Sequence, residues 1–295
     1  MTTLTRPEGT KPSDLNLSRR KLGAAVLGGY AVFALSAQAE PIATPETGLV
    51  TETVQLSPPD TQIPAYLARP QGAGPFPAVV VVSEIFGVHE YIRDVCRRLA
   101  QLGYVAIAPD FFARAGDPSK LTDYAEIRKI VATATDDQVM GDLAAAMAFL
   151  QAQDYADADR AAITGFCWGG NIVWQAAQKT DFFDAGVAWY GRLAPPADAA
   201  PSERQWPVDL AAKTSAPVLG LYAGQDQGIP LSDVEKMRAA LKAAGKTDSD
   251  IVVYPDAQHG FHADYRSAYD AEAAKDGWRR MLAHFAQHGV APAKA

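Results

Sequence analysis

Cysteine is scarce, with two residues in 295. That excludes a disulfide-stapled scaffold, and the lack of any C-x-x-C pair excludes common zinc and thioredoxin-like arrangements. Long apolar runs are missing too. The most apolar stretch near the amino terminus is about 14 residues and ends at Leu35, short of the roughly 20 that span a bilayer as a helix. Basic charge is in deficit, with 27 Lys and Arg against 34 Asp and Glu for a net of −7. An acidic chain without a basic stripe argues against nucleic acid and anionic membrane surfaces as partners. The 23 Gly and 20 Pro are scattered, which excludes collagen-like and low-complexity chains. No internal repeat is visible and no linker divides the sequence. What remains is a globular composition, 48% hydrophobic and 21% charged. A chain of this length removes about three quarters of its surface from water on folding.

The first residues read as an address. Ser18-Arg19-Arg20-Lys21-Leu22 precedes a weakly apolar stretch containing Gly23, Gly28 and Gly29, and Ala37-Gln38-Ala39 follows. A twin arginine, a mild apolar segment and an A-x-A site make an export signal of the twin-arginine type over residues 1–39. The alternatives are an uncleaved anchor or a cytosolic tail. The Leu22-Gly23 pair departs from the Phe-Leu common after the arginines. Cleavage after Ala39 removes five basic and two acidic residues and leaves a single domain, 40–295, with a charge of −10. The expected location is periplasmic or extracellular.

Strand and helix patterns alternate along that domain. Thr51–Leu56 and Ile63–Arg69 read as early strands joined by a Pro-Pro-Asp turn. Pro77–Val82 is a continuous apolar run, as suits a strand buried on both faces. Helical spacing runs over His89–Leu102, Asp136–Gln153, Leu231–Ala244 and Ser267–His288, and a further helix begins near Gly169. Tyr104–Ala108, Ala161–Thr164, Ala185–Trp189, Pro217–Tyr222 and Ile251–Tyr254 read as strands, and residues 193–216 as a long loop. This order implies an α/β fold, a mostly parallel sheet with helices on both faces. Such sheets place their sites beyond the carboxyl ends of the strands.

The residues just after the strands therefore carry the argument. Gly165-Phe166-Cys167-Trp168-Gly169-Gly170 lies between a short strand and a helix. It has the form of a nucleophile elbow with Cys in place of Ser. A helix amino terminus favours thiolate. Alone, the motif fits a buried structural cysteine equally well. An elbow nucleophile needs an acid and then a His, in that chain order. Asp226 follows one strand 59 residues after Cys167, and His259 follows another 33 residues later. Imidazole is the natural base because its unperturbed pKa is about 6.5. Asp256 is too near His259 in sequence to orient its ring. His89 opens a helix and His262 lies past the turn, while His284 and His288 suit a solvated helix face.

Glu84 directly follows the buried run Val79–Val82. An ionisable group there needs either backbone hydrogen bonds or a task beside the thiol, because an unpaired buried charge is costly. The same loop offers the Ile85 N–H to an oxyanion, and the second N–H would come from Trp168. Cys96 sits on an apolar helical stripe and reads as a core thiol.

With these residues in place, the sequence resembles the dienelactone hydrolase (carboxymethylenebutenolidase) family of α/β-hydrolases. The resemblance covers nearly all of residues 50–290. It rests on Glu84-Ile85-Phe86-Gly87, Ala108-Pro109-Asp110-Phe111-Phe112-Ala113-Arg114, Gly165–Gly170, Trp189-Tyr190-Gly191, Gly224-Gln225-Asp226 and His259-Gly260-Phe261. It implies an α/β-hydrolase fold and a triad of Cys167, His259 and Asp226, with Glu84 helping to deprotonate the thiol when substrate binds. It implies small lactone or ester substrates that carry a carboxylate, with Arg114 gripping that carboxylate and Tyr190 at the substrate. It implies no metal or organic cofactor and a chain that works as a monomer. One position departs. Dienelactone-specific members have a second Arg four residues after the catalytic His, where this chain has Ala263; His262 and Arg266 are nearby but out of register. Three readings stay open: a lactone or ester hydrolase of this family, a general carboxylesterase or thioesterase, and a non-catalytic redox or ligand-binding thiol protein.

Overall fold

The computed structural model describes residues 41–196, 199 and 204–293. The proposed export signal, residues 1–39, lies outside them. Eight strands form one sheet in the order β1-β2-β4-β3-β5-β6-β7-β8. β1 (Leu49–Leu56) and β2 (Ile63–Pro70) form an antiparallel hairpin across the Pro58-Pro59-Asp60 turn, and β2 continues antiparallel to β4 (Val105–Pro109). From β4 onward every pairing is parallel, through β3 (Phe76–Val82), β5 (Ala156–Phe166), β6 (Ala185–Trp189), β7 (Val218–Ala223) and β8 (Asp250–Tyr254).

The continuous apolar run of β3 has a simple cause. Ala78, Val80 and Val82 enter one core layer, while Val79 and Val81 enter the other. Successive side chains point to opposite faces, so a strand covered on both sides has no polar position to spare. The first layer is closed by α3 (Asp136–Gln151), α4 (Trp168–Lys179) and α5 (Leu231–Ala243). The second is closed by α1 (Glu90–Gln101) and α6 (Ala271–Gln287). The stripes expected from sequence are the buried ones: Ile92, Val95, Cys96 and Leu99 on α1, and Val139, Leu143, Met147 and Leu150 on α3.

Boundaries shift where polar residues obscure the pattern. β5 has 11 residues and begins at Ala156; Asp157, Asp159 and Arg160 carry no apolar signal, yet Ala156 and Asp157 pair with β3 before an irregularity, after which pairing resumes at Ala161. α6 starts at Ala271, not Ser267, where the Asp270 side chain accepts from the Ala273 N–H at 3.1 Å. α2 (Tyr124–Val131) was not anticipated; one buried residue, Ile127, is too little periodicity to show. The long loop before β7 carries a short 3-10 turn at Ala211–Lys213. Among the described residues no helix is long and apolar enough to cross a membrane.

Candidate active site

The parallel strands end on one side, and each hands over a residue singled out above. Glu84 follows β3, Arg114 follows β4, Cys167 follows β5, Tyr190 follows β6, Asp226 follows β7 and His259 follows β8. The elbow after β5 is tight. Cys167 takes φ 56° and ψ −113° and sits at the N-cap of α4. Its N–H donates to Trp189 O at 3.0 Å, which ties the turn to β6. A Cβ on Gly165 would lie 2.4 Å from Gly169 O, and one on Gly169 would lie 2.4 Å from Val82 O. Only glycine lets the helix come this near the strands. A left-handed φ at a non-glycine residue costs of order 1–3 kcal/mol and persists where surrounding structure enforces it. The half-buried Cys167 side chain makes no cap hydrogen bond to its helix, so the sulfur is left at the positive helix end.

Asp226 and His259 meet. Asp226 Oδ2 lies 2.7 Å from His259 Nδ1, with both side chains 1% exposed. An ionised carboxylate only accepts, so Nδ1 carries the proton. Asp226 Oδ1 accepts from the Gly228 N–H at 2.8 Å and the Ile229 N–H at 3.1 Å. Burial works against its ionisation, but the His259 charge and these three hydrogen bonds hold the carboxyl below its usual range. Burial likewise opposes protonating His259, yet Asp226 and then Cys167 outweigh it and push the imidazole up to about 10. His259 Nε2 is buried without a hydrogen-bond partner of normal geometry. Asp256 is exposed.

Glu84 is fully buried. Its Oε2 accepts the Tyr265 hydroxyl at 2.7 Å and lies 3.4 Å from His89 Nε2. Burial alone would raise its pKa; His89, Arg266 and Tyr265 together bring it below the usual value. Oε1 makes no hydrogen bond among the described residues. Sequence reasoning passed over His89 as a helix opener. It is that, at the N-cap of α1, but the Glu84–Gly87 turn, closed by Gly87 N–H to Glu84 O at 3.2 Å, also folds it back towards the carboxylate. Tyr265 and Arg266 were missed or left aside because they reach Glu84 from 181 and 182 residues away. No local pattern could show that.

The Ile85 and Trp168 N–H groups, placed in the turn after β3 and at the first position of α4, donate to no described residue. Tyr190 is fully buried, at φ 39°, with its ring centroid 5.0 Å from that of His259. It forms a wall behind the imidazole. Arg114 is held by two carboxylates, Asp60 and Asp142. His262 is buried among Phe166, Trp189 and Trp278, with Nδ1 2.6 Å from the Tyr91 hydroxyl; burial drives its pKa well down, so it stays neutral. The face bearing His284 and His288 is not a wholly solvated one. His284 is half-buried, its Nε2 lies 3.2 Å from Pro217 O, and burial pushes its pKa down to about 4. Cys96 is buried in the core as expected, and both cysteines are free.

A parallel sheet with an elbow after one strand and an acid and a histidine after the next ones defines an α/β-hydrolase. The chain belongs to the dienelactone hydrolase family, whose sequence profile matches residues 63–289. It is 51% identical over 278 residues to a "Putative carboxymethylenebutenolidase" of Methylorubrum extorquens, covering 93% of this chain and 94% of that protein. A protein of the same name from Escherichia coli is 46% identical over 263 residues, covering 88% and 96%. The crystal structure titled "Putative Dienelactone Hydrolase" from Klebsiella pneumoniae superposes with a TM-score of 0.76 at 48% identity, covering 81% of this chain and 99% of that one. The protein is thus a hydrolase of the dienelactone hydrolase type.

Proposed function

We propose that this chain cleaves ester or lactone bonds with Cys167 as nucleophile, His259 as base and Asp226 as the group that orients it. The observation that carries the reading is the 2.7 Å Asp226–His259 contact, which leaves Nε2 as the ring's uncommitted nitrogen. Glu84 assists ionisation of the thiol through Oε1, the oxygen without a hydrogen bond. The Cys167 thiolate attacks the acyl carbon; a C–S bond forms and the carbonyl π pair moves to oxygen. The Ile85 and Trp168 N–H groups hold that oxyanion. Collapse breaks the C–O bond, and the leaving alkoxide takes a proton from the His259 imidazolium. Water then gives a proton to His259 and attacks the thioester, and the second collapse releases the acid and restores the thiolate. No step requires a metal or an organic cofactor, and every group named comes from one chain.

The test compares wild type with Cys167→Ser on 4-nitrophenyl acetate and on dienelactone. Wild type is expected to turn over the aryl ester and the variant to lose at least about 10³-fold in kcat. Absence of turnover on both compounds by wild type defeats the reading.

We further propose that the protein works after export, with residues 1–39 removed. Support comes from Arg19-Arg20 and Ala37-Gln38-Ala39. Amino-terminal sequencing of periplasmic material should begin at Glu40. Lys substitution at both arginines should keep the precursor inside, and a Met1 terminus on exported protein would refute it.

A further inference from the structure

An arginine that recognises an anion needs N–H groups still available and surroundings that are not already negative. Arg114 has neither. Its Nε and Nη2 donate to Asp60 at 2.6 Å each, and its Nη1 and Nη2 donate to Asp142 at 2.9 and 2.8 Å. One guanidinium answers two carboxylates. The Asp142 side chain is fully buried on α3, so Arg114 cannot turn away without stranding a charge. Asp110 stands nearby, its pKa pushed up to about 6 by burial and then by Asp117 and Asp142. Carboxylates outnumber cations here before any substrate arrives.

The second cation is Arg266, and it is 5% exposed. Its Nη1 would lie 3.0 Å from a Cβ on Gly260, so it packs under the turn that carries His259. Its charge acts on Glu84, which already supplies a counter-charge. Position 263 is alanine. The half-open side chains bordering the same core layer as Cys167 include Ile85, Val88, Leu121 and Tyr124. Trp168 stands on Phe111 and Phe112 at centroid distances of 5.8 and 4.9 Å. The half-buried neighbour of the thiol in sequence, Trp168, is apolar, and both cations are engaged by carboxylates.

We propose that the acyl pocket takes an uncharged, apolar acyl group, so that the substrates are neutral esters or lactones, and that Arg114 is a strut joining the 57–62 turn, the loop after β4 and α3. This rests on Cys167 being the nucleophile of an ester hydrolase. Arg114 is then a residue of the frame, and the carboxylate-gripping role that the family resemblance implied does not pass to it.

The test uses paired probes that differ by one distant carboxylate. 4-Nitrophenyl butyrate and mono-4-nitrophenyl succinate share a leaving group, and wild type should favour the butyrate at least tenfold in kcat/KM. Arg114→Gln, or Arg114→Lys where the glutamine does not fold, should leave that ratio within twofold. A preference for the succinate, or its selective loss in the variants, overturns the proposal. A second pair does not depend on turnover. N-propylmaleimide should label Cys167 faster than N-(2-carboxyethyl)maleimide, relative to their rates with 2-mercaptoethanol; the opposite order overturns the proposal. If neither ester is hydrolysed, the hydrolase reading fails by itself, and the maleimide ratio still decides the charge preference of the pocket.

Discussion

Two buried carboxylates follow the same rule to opposite ends. Asp142 and Asp226 each face a cation across less than 3 Å, at 2.8 Å to Arg114 and 2.7 Å to His259. Around Asp142 the cation is nearly filled, with four of its five N–H groups donating to two carboxylates. Around Asp226 both carboxylate oxygens accept hydrogen bonds, while His259 Nε2 has no partner of normal geometry. A closed pair fixes chain segments. A pair with one free valence can pass a proton. Both side chains are buried, yet burial raises the Asp142 pKa while, against burial, His259 and the backbone hydrogen bonds lower that of Asp226, and the uncommitted nitrogen of His259 separates the proposed catalyst from the proposed strut.

The comparison breaks most visibly at the open pair. Cys167→Ala should abolish ester turnover, a loss on the order of 10⁴-fold or more, while its thermal midpoint stays within a few degrees of wild type. Asp226→Asn should cost about 10³–10⁴-fold in kcat because the ring loses its orienting acceptor. At the closed pair the effects should exchange places. Arg114→Gln should destabilise by about 3–5 kcal/mol in urea unfolding, since it leaves Asp142 buried and unpaired, and change kcat/KM for a neutral ester less than tenfold. Asp60→Asn, at an exposed partner, should shift the urea midpoint least of all.

Acidity sharpens the same contrast. His259 has a raised pKa in the folded chain, so its contribution is complete below the unfolded value of about 6.5 and is lost as pH rises through about 10. The Asp226 carboxyl is lowered, so its contribution is complete above about 3.9 and is lost only as pH falls through the lowered folded value. The thermal midpoint gap between wild type and Asp226→Asn should therefore be widest near pH 5–6 and narrow towards pH 10. A gap that grows with alkalinity would contradict the assigned charges. The Arg114→Gln gap should show no such closing near pH 10, because guanidinium does not titrate there.

Much of this was legible beforehand, for local reasons. The parallel sheet announced itself through Pro77–Val82, where both faces are covered, and the α1 and α3 stripes through four buried residues each. Cys167, Asp226 and His259 could be picked out because each lies within five residues of a strand's carboxyl end. The rest depended on contacts that sequence does not display. The length of β5 hid behind Asp157, Asp159 and Arg160, whose side chains give no apolar signal although the strand already pairs with β3 at Ala156 and Asp157. The Glu84 neighbourhood draws Tyr265 and Arg266 from the far end of the chain. Arg114 looked available because Asp60 and Asp142 are 54 and 28 residues away.

The backbone at Cys167 and Tyr190 has a practical consequence for anyone who would redesign this protein. These are the two described non-glycine residues with positive φ, and they end neighbouring strands. A programme that replaces strained positions with glycine to gain heat resistance would select both of them first. It would remove the proposed nucleophile with one choice and the wall behind its base with the other. Thermostability in this scaffold should be sought instead on the far side of the sheet, where relaxing the chain costs no chemistry.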